Sequence, residues 1–243
     1  PLRFPEYRVD WDQVQDALSA KTRLIILNSP HNPSGAVFSA ADIKALIQIV
    51  AHSDILILSD EVYEHIIFDG QQHESMCRYP ELAARSFVVS SFGKTYHATG
   101  WKIGYCLAPG PLSREFQKVH QFITFASNTP VQHAYADFLQ KSEIFLGLSA
   151  FYEAKRDTFL KCMAPSRFEA LPCHGTYFQM MRYAAISDEP DLEFARRLTV
   201  EHGVAAIPPS VFYHGRDDHK VLRFCFAKQD KTLKQAAEKL CAI

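Results

Sequence analysis

Strand-length apolar runs alternate with helical patterns, and this alternation constrains the fold more than any other feature of the chain. RLIILN (23–28) is a continuous run of leucine and isoleucine, as is typical of a strand buried on both faces. Residues 39–52 have helical spacing behind Ser39, which is a common capping residue. DILILSD (54–60) and SFVVSS (86–91) are the next strands. The pattern predicts an α/β fold with a mainly parallel sheet that has helices on both faces.

Two helical stretches follow a further predicted strand, IGYCLA (103–108). They cover residues 112–125 and 129–163, and the second is long enough to connect two domains. We therefore predict a larger domain of residues 1–150 that ends in a long connecting helix.

The pattern changes after about residue 165. Helical stretches at 190–202 and 229–241 alternate there with short strand-like pieces. These pieces are RFEALP, GTYFQMMR, GVAAIPPSVF and KVLRFCFAK. Residues 151–243 are accordingly predicted to form a small C-terminal α+β domain.

Charge and composition exclude several classes of function. Lys and Arg total 26 against 27 acidic residues, so no basic field is expected to attract nucleic acid or an anionic membrane surface. No apolar stretch reaches the roughly 18 residues of a membrane span. The eleven histidines show no metal-ligand spacing, and no metal is predicted. Six scattered cysteines without a CxxC pair indicate reduced, buried thiols and a cytoplasmic protein.

Polar side chains follow three of the predicted strands. Asn32 follows the first, Asp60 and Tyr63 lie at the end of the second, and Ser91 and Lys94 lie at the end of the third. Ligands of open α/β sheets bind beyond the carboxyl ends of the strands. An amide, a carboxylate, a phenol, a hydroxyl and an amine at three such ends predict a convergent polar site.

Each of these residues also has an ordinary structural explanation. Asn-Pro-Ser-Gly is a good turn sequence, and Asp60 is suited to capping a helix. Tyr63 fits a core position of an amphipathic segment. Lys94 and Lys102 fit exposed surface lysines, and Arg223 fits an exposed position on an edge strand. Any one residue alone leaves these explanations open.

Taken together, three motifs and their order point to one family. NSPHNPSG, SDEVYEHIIFDG and SSFGKTYHATGWKIGY resemble motifs of the fold-type I, class I/II aminotransferases, which depend on pyridoxal 5′-phosphate (PLP). The intervals from Asn32 to Asp60 (28 positions) and from Asp60 to Lys94 (34 positions) match that family. Arg223, in VLRFCFA, stands where the family has a carboxylate-binding arginine. The resemblance covers essentially the whole chain.

The resemblance implies a role for each residue. Lys94 forms a Schiff base with the PLP aldehyde and later moves a proton. Asp60 keeps the pyridine nitrogen protonated, and Tyr63 and Asn32 contact the ring oxygen.

Substrate and phosphate contacts are implied in the same way. Ser91 and Lys102 bind the cofactor phosphate, with Lys102 as a point charge. Arg223, assisted by Asn32, binds the substrate carboxylate.

The resemblance also implies the reaction and the partners. Residues 94–134 look most similar to methionine- and aromatic-preferring aminotransferases, including the kynurenine enzymes. Amino-acid and 2-oxo-acid substrates and a homodimer are implied. A PLP-dependent C–S β-lyase, or a non-catalytic folded fragment, stays open as an alternative.

The start of the chain departs from the family pattern. The sequence begins at Pro1 without methionine. It has no counterpart of the family's phosphate-cradling turn or of the aromatic residue that stacks on the pyridine ring. We therefore expect the chain to be the C-terminal part of an aminotransferase that is weak or inactive alone.

Overall fold

A four-stranded sheet forms the first part of the chain in the computed structural model, which describes residues 2–243. Its strands lie in chain order: β1 (Leu24–Asn28), β2 (Leu56–Asp60), β3 (Ser86–Ser91) and β4 (Gly104–Leu107). The first three run parallel, and β4 is antiparallel to β3. The predicted α/β class with a mainly parallel sheet is confirmed, with β4 as its antiparallel member.

Helix α2 (Ala40–Val50) connects β1 to β2, the crossover that parallel strands require. Ser39 and Asp42 form a reciprocal capping box at its start. Ile43 and Leu46 are fully buried and belong to a core cluster with Ile57 of β2. The helical spacing read from the sequence therefore faces the sheet.

A smaller antiparallel sheet lies in the C-terminal part. It consists of β5 (Glu169–Ala170), β6 (Phe178–Arg182) and β7 (Val221–Cys225). GVAAIPPSVF was predicted as a strand, and this prediction is wrong: only a single bridge at Ile207 and a 3-10 helix, Pro209–Phe212, form there. Two adjacent prolines remove the amide donors that a strand needs.

The stretch 129–163 was predicted as one long helix, and this is wrong. It contains α6 (Thr129–Leu139), α7 (Ser142–Leu146) and α8 (Leu148–Met163). Lys141 has non-helical backbone angles (φ −101°, ψ 73°), and Gly147, a poor helix former, stands between α7 and α8. A division between residues 150 and 151 would fall inside α8, and the two-domain division stays a prediction.

The remaining helices complete the chain order. They are α1 (Trp11–Ala17), α3 (Pro80–Ala83), α4 (Phe92–Thr95), α5 (Gly110–Ile123), α9 (Asp191–His202), α10 (Asp230–Cys241) and the 3-10 helices Met76–Arg78 and Thr99–Trp101. None of the helices in residues 2–243 is long and apolar enough to cross a membrane.

The largest core cluster packs the C-terminal part of the chain against the loop that follows β2. It contains side chains of β6, β7, α8, α9 and α10 together with Tyr63, Ile66 and Phe68, which follow β2. The segment that leaves the first sheet is therefore packed into the core of the C-terminal part, and this packing fixes Tyr63 in space.

All six cysteines are free thiols. The prediction that they are buried is correct for Cys173 and wrong for Cys77, which is exposed, and the other four are half-buried.

Candidate active site

The ends of β1 and β2 hold the first carboxylate of the site. Asn28 pairs with Asp60 in the parallel register, and its side-chain amide donates to the Asp60 carbonyl at 3.0 Å. One oxygen of the Asp60 carboxylate accepts from the Val62 amide at 3.2 Å. Burial raises the pKa of Asp60, while the Val62 hydrogen bond and the charge of Lys94 oppose the rise. Asp60 is thus a half-buried carboxylate in the field of an amine.

Lys94 lies on the short helix α4, directly after β3. Ser91 ends the strand and caps the helix, because its hydroxyl accepts from the Gly93 amide at 3.2 Å. The Lys94 Nζ lies 5.9 Å from the ring centroid of Tyr63 and 5.8 Å from that of Tyr177. The amine is therefore half-buried against aromatic rings, and the explanation as an exposed surface lysine fails.

Tyr63 is only 3% exposed and stands edge-on to Tyr177, with ring centroids 5.2 Å apart. Burial raises the pKa of Tyr63, and the neighbouring Tyr177 raises it further. The hydroxyl consequently stays protonated at neutral pH and can act as a hydrogen-bond donor.

Arg223 and Asn32 meet although 191 positions separate them. The Asn32 side-chain oxygen accepts from the Arg223 Nη1 at 2.7 Å, and the guanidinium lies 4.0 Å above the ring of Phe178. The Arg223 Nε is buried and has no hydrogen-bond partner within residues 2–243. Burial lowers the pKa of Arg223. A half-buried guanidinium whose buried Nε has no partner fits an anionic ligand.

Ser91 ends β3, and Lys102 lies in the connection between β3 and β4, two residues before β4. The Ser91 hydroxyl is 3.5 Å from the carbonyl of Ile103, the residue that follows Lys102. Lys102 is exposed in a left-handed conformation (φ 54°), and its side chain makes no hydrogen bond or ion pair in the described part of the chain. No contact joins Ser91 or Lys102 to Asp60 or Tyr63 in the described part of the chain. The roles of Ser91 and Lys102 in phosphate binding therefore remain predictions.

Three residues that sequence reasoning missed also line the site. Asn28 joins the others because its side-chain oxygen also accepts from the Asn32 amide at 2.9 Å. Tyr177 and Phe178 bring two aromatic rings to Lys94 and Arg223. Asn28 is a polar residue at the end of the first apolar run, and that position could have identified it. Nothing in GTYFQMMR distinguishes Tyr177 and Phe178 from ordinary strand residues.

The residue that follows Asp60 is a buried carboxylate. Glu61 is 1% exposed and accepts from the Ser59 hydroxyl at 2.9 Å and from the Met76 amide at 3.0 Å. Its other oxygen is 2.7 Å from the His73 Nε2. Burial works against the charged form of Glu61, but the His73 contact and the Met76 amide together lower its pKa. The strand end that carries Asp60 is therefore held by hydrogen bonds.

A cleft of about 1030 Å³ lies next to the site. It is lined by the N-terminal segment, the open edge of β1 and residues 71–74, and it includes Asn28 but not Lys94, Asp60 or Arg223. Its walls offer no amine beside a carboxylate, so we base the site on the convergent groups. No cluster of three or more potential metal ligands occurs within residues 2–243.

The fold and this group of side chains define a class, and comparison with known proteins agrees. The sequence profile of the family Aminotransferase class I and II matches residues 2–240, so the chain belongs to that family. It is 53% identical over 240 residues to the methionine aminotransferase of Escherichia coli, covering 98% of this chain and 62% of that protein.

Two further relatives are similar. A kynurenine–oxoglutarate transaminase of Dictyostelium discoideum is 34% identical, with 96% of this chain and 59% of that protein covered. The crystal structure of YbdL from Escherichia coli, identified with a methionine aminotransferase function, superposes with a TM-score of 0.97 at 52% identity. That match covers all of this chain and 64% of the other. The chain thus spans about three fifths of the relatives that it matches.

Proposed function

We propose that the complete protein transfers the amino group of methionine, or of another apolar or aromatic amino acid, to a 2-oxo acid. The amino group is carried by PLP held at Lys94. One observation carries the proposal: the amine of Lys94, the carboxylate of Asp60, the phenol of Tyr63 and the guanidinium of Arg223 come together at one edge of an aminotransferase fold. The names of the similar proteins, methionine aminotransferase and kynurenine transaminase, support the substrate class.

The donor set fits PLP. Asp60 supplies the carboxylate for the pyridinium nitrogen, Tyr63 supplies a hydroxyl for the ring oxygen, and Ser91 with Lys102 supplies a hydroxyl and a charge for the phosphate. When bound, PLP supplies an electron sink for the negative charge that develops on the substrate α-carbon. The half-buried setting of Asp60 strengthens its charge interaction, because the local dielectric is low.

Lys94 holds and moves the proton. Its amine lies 5.9 Å from the ring centroid of Tyr63 and 5.8 Å from that of Tyr177, so two neighbouring rings border it. In the proposed reaction the free amine would take a proton from the α-carbon of the amino donor and would later give one to the α-carbon of the amino acid that forms from the acceptor.

Arg223 orients the substrate. Asn32 holds one nitrogen of the guanidinium at 2.7 Å, and Phe178 supports its face at 4.0 Å. The remaining N–H groups, among them the unpaired buried Nε, are free to bind a carboxylate in two parallel hydrogen bonds. Carboxylate binding here fixes which end of the amino acid approaches Lys94.

The side-chain preference follows from the rings beside the amine. Tyr63, Tyr177 and Phe178 form a connected aromatic group, with centroid distances of 4.7 to 6.2 Å. Tyr63 and Phe178 are buried and Tyr177 is half-buried, so the Tyr177 ring is the part of this group that is open to a substrate. An open aromatic ring favours apolar and aromatic side chains through area burial, and methionine through sulfur–aromatic contacts.

The experiment is an assay of the complete protein with methionine, phenylalanine and kynurenine, each with several 2-oxo acids. We expect turnover that depends on an acceptor and is lost in Lys94→Ala. Borohydride reduction should leave a phosphopyridoxyl group on the peptide that contains Lys94, a mass increase equal to that of PLP less one oxygen atom. Pyruvate and a thiol formed from cystathionine without an acceptor would contradict the proposal in favour of a C–S lyase.

We further propose that the complete protein is a homodimer. Phe122, Ile123 and Phe125, at the end of α5, are 79% to 85% exposed. A contiguous exposed apolar surface of this kind marks an interaction site. A second copy of the protein is the proposed partner.

We also place the protein in the cytoplasm. Six free thiols in a chain without a disulfide among them suit a reducing compartment. Detection of the complete protein in a separated cytoplasmic fraction tests this placement, and its recovery in another compartment would contradict it.

A further inference from the structure

A short segment of the C-terminal part, residues 173–177, inserts between two loops that carry site residues. We call it the wedge segment. Its His174 amide donates to the Gly35 carbonyl at 3.0 Å, and its Thr176 amide donates to the Ile66 carbonyl at 3.0 Å. The Phe68 amide donates to the His174 carbonyl at 2.8 Å. The segment is therefore bonded to the loop after β1 and to the loop after β2.

The fit of the wedge segment leaves no spare room. A Cβ on Gly175 would lie 2.7 Å from the Pro30 Cβ and 3.1 Å from the Ile66 carbonyl oxygen. A Cβ on Gly35 would lie 2.8 Å from the Cys173 Sγ, and the φ of Gly35 is +75°. Glycine is needed at both positions because the backbones approach so closely. The wedge segment consequently has one position relative to both loops.

Thr176 is in a backbone conformation that β-branched residues rarely adopt. Its φ is +67°, and its side chain is fully buried. Its hydroxyl accepts from the Phe178 amide at 3.2 Å, which holds the turn that leads into β6. Such a conformation costs free energy and persists only where the surroundings enforce it, and outliers of this kind cluster at functional sites.

The residue that this turn presents is Tyr177. Its ring centroid is 5.8 Å from the Lys94 Nζ, 5.2 Å from the ring of Tyr63, and 4.7 Å from the ring of Phe178, which lies under Arg223. Tyr177 is thus a direct neighbour of the Lys94 amine and of the Tyr63 ring. It is linked to the Arg223 guanidinium through Phe178. Tyr177 also packs against Tyr152 of the core, with ring centroids 5.6 Å apart, and its side chain is half-buried.

We propose that Tyr177 is a positioning residue, whose ring holds the Lys94 amine and the Tyr63 phenol in place and is itself aimed by the turn at Thr176. The proposal rests on the proposed function in that Lys94 is taken as the reacting amine. The ring, more than the hydroxyl, carries this role, because an aromatic face attracts an ammonium group and the edge-on contact with Tyr63 needs a second ring.

The test measures how fast an amine-selective acetylating reagent modifies Lys94 in the cofactor-free chain. Peptide mass spectrometry follows Lys94 and, as an internal reference, the exposed Lys21. We expect Tyr177→Leu to speed acetylation of Lys94 about threefold to fivefold, the factor that corresponds to loss of one aromatic–ammonium contact. Tyr177→Phe keeps the ring and should restore the wild-type rate.

A matched variant separates positioning from a general loss of structure. Tyr213→Leu removes a tyrosine that packs against His219 and not against Lys94, so it should leave the rate unchanged. Equal rates in Tyr177→Leu and the wild type would overturn the proposal. A faster rate in Tyr177→Phe as well would overturn the role of the ring.

A kinetic measurement on the complete protein gives a second readout. Tyr177→Leu should lower kcat while KM changes little, and Tyr177→Phe should stay near the wild type. An increase in KM alone would contradict positioning of the amine. If the complete protein shows no amino transfer while the acetylation effect persists, the proposed function fails and the positioning of Lys94 by Tyr177 stands.

Discussion

Asp60 combines a half-buried carboxylate with a neighbouring amine, and its charge is the property on which the proposed reaction depends. The Val62 amide occupies one carboxylate oxygen, so the other stays available. The neighbouring Glu61 fixes the end of β2 through its buried hydrogen bonds to Ser59 and Met76. The position of the charge is thus set before any ligand binds.

Replacing Asp60 by Asn in the complete protein keeps the shape and removes the charge. We expect kcat to fall by about 10² to 10³, the loss that follows removal of one preorganised electrostatic contact. Steady-state kinetics with methionine measure the change. Asp54→Asn, an exposed aspartate just before β2, is the matched control, and an equal loss in both variants would contradict the role of Asp60.

Replacing Arg223 by Lys keeps the charge and removes the planar pair of donors. We expect kcat/KM to fall about 10-fold to 100-fold, because a lysine cannot bind a carboxylate through two parallel N–H groups. The comparison with Arg182→Lys, on the exposed end of β6, controls for the exchange itself. An unchanged kcat/KM in Arg223→Lys would show that the carboxylate binds elsewhere.

Among the helices and strands, α8 and the loop after β2 are joined by one ion-pair network. Arg156 is 8% exposed and donates to both oxygens of Asp69 at 2.8 and 2.9 Å, and also to the Cys173 carbonyl at 2.9 Å. His174 approaches the same carboxylate at 3.0 Å. This network ties the helix, the loop and the wedge segment together, so it supports the position of Tyr177.

Asp69 makes the stability of this junction depend on pH. The hydrogen bonds from Arg156 lower its pKa to about 2. Because the folded pKa lies below the unfolded value of about 3.9, the stabilisation is present above pH 4 and is lost as pH falls toward 2. Urea unfolding at pH 5 and pH 3 should show a larger loss for the wild type than for Asp69→Asn. An identical loss in both chains would exclude Asp69 as a source of the pH dependence.

For the molecule as a whole, the exposed apolar end of α5 is the feature that predicts assembly. Phe122 is 85% exposed. In the complete protein, Phe122→Glu should shift the sedimentation coefficient from dimer to monomer, because a charge would be buried without a partner. Val200→Glu alters a side chain on α9 that is 77% exposed and should leave the dimer intact. A dimer in Phe122→Glu would place the interface elsewhere.

Local patterns in the sequence were sufficient for β1 to β3 and for the polar residues that follow them, although the strand predicted in GVAAIPPSVF does not form. Continuous apolar runs located β1 to β3, and the polar residues that follow them supplied Asn32, Asp60 and Lys94. The parallel register then brings these ends to one edge, since β1 and β2 align Asn28 with Asp60. The breaks in the stretch 129–163 were not predictable from periodicity, because they depend on single residues, Lys141 with its non-helical backbone angles and the glycine Gly147.

The sequence by itself therefore determined the family, the mainly parallel sheet and the amine that the site is built around. Only the tertiary structure decided that Arg223 bonds to Asn32 and that Tyr177 lies against Lys94. Periodicity and turn chemistry act between residues a few positions apart, whereas these contacts join positions 191 and 83 residues apart. These contacts exist because the packed core and the wedge segment hold the second sheet against the loops that follow β1 and β2.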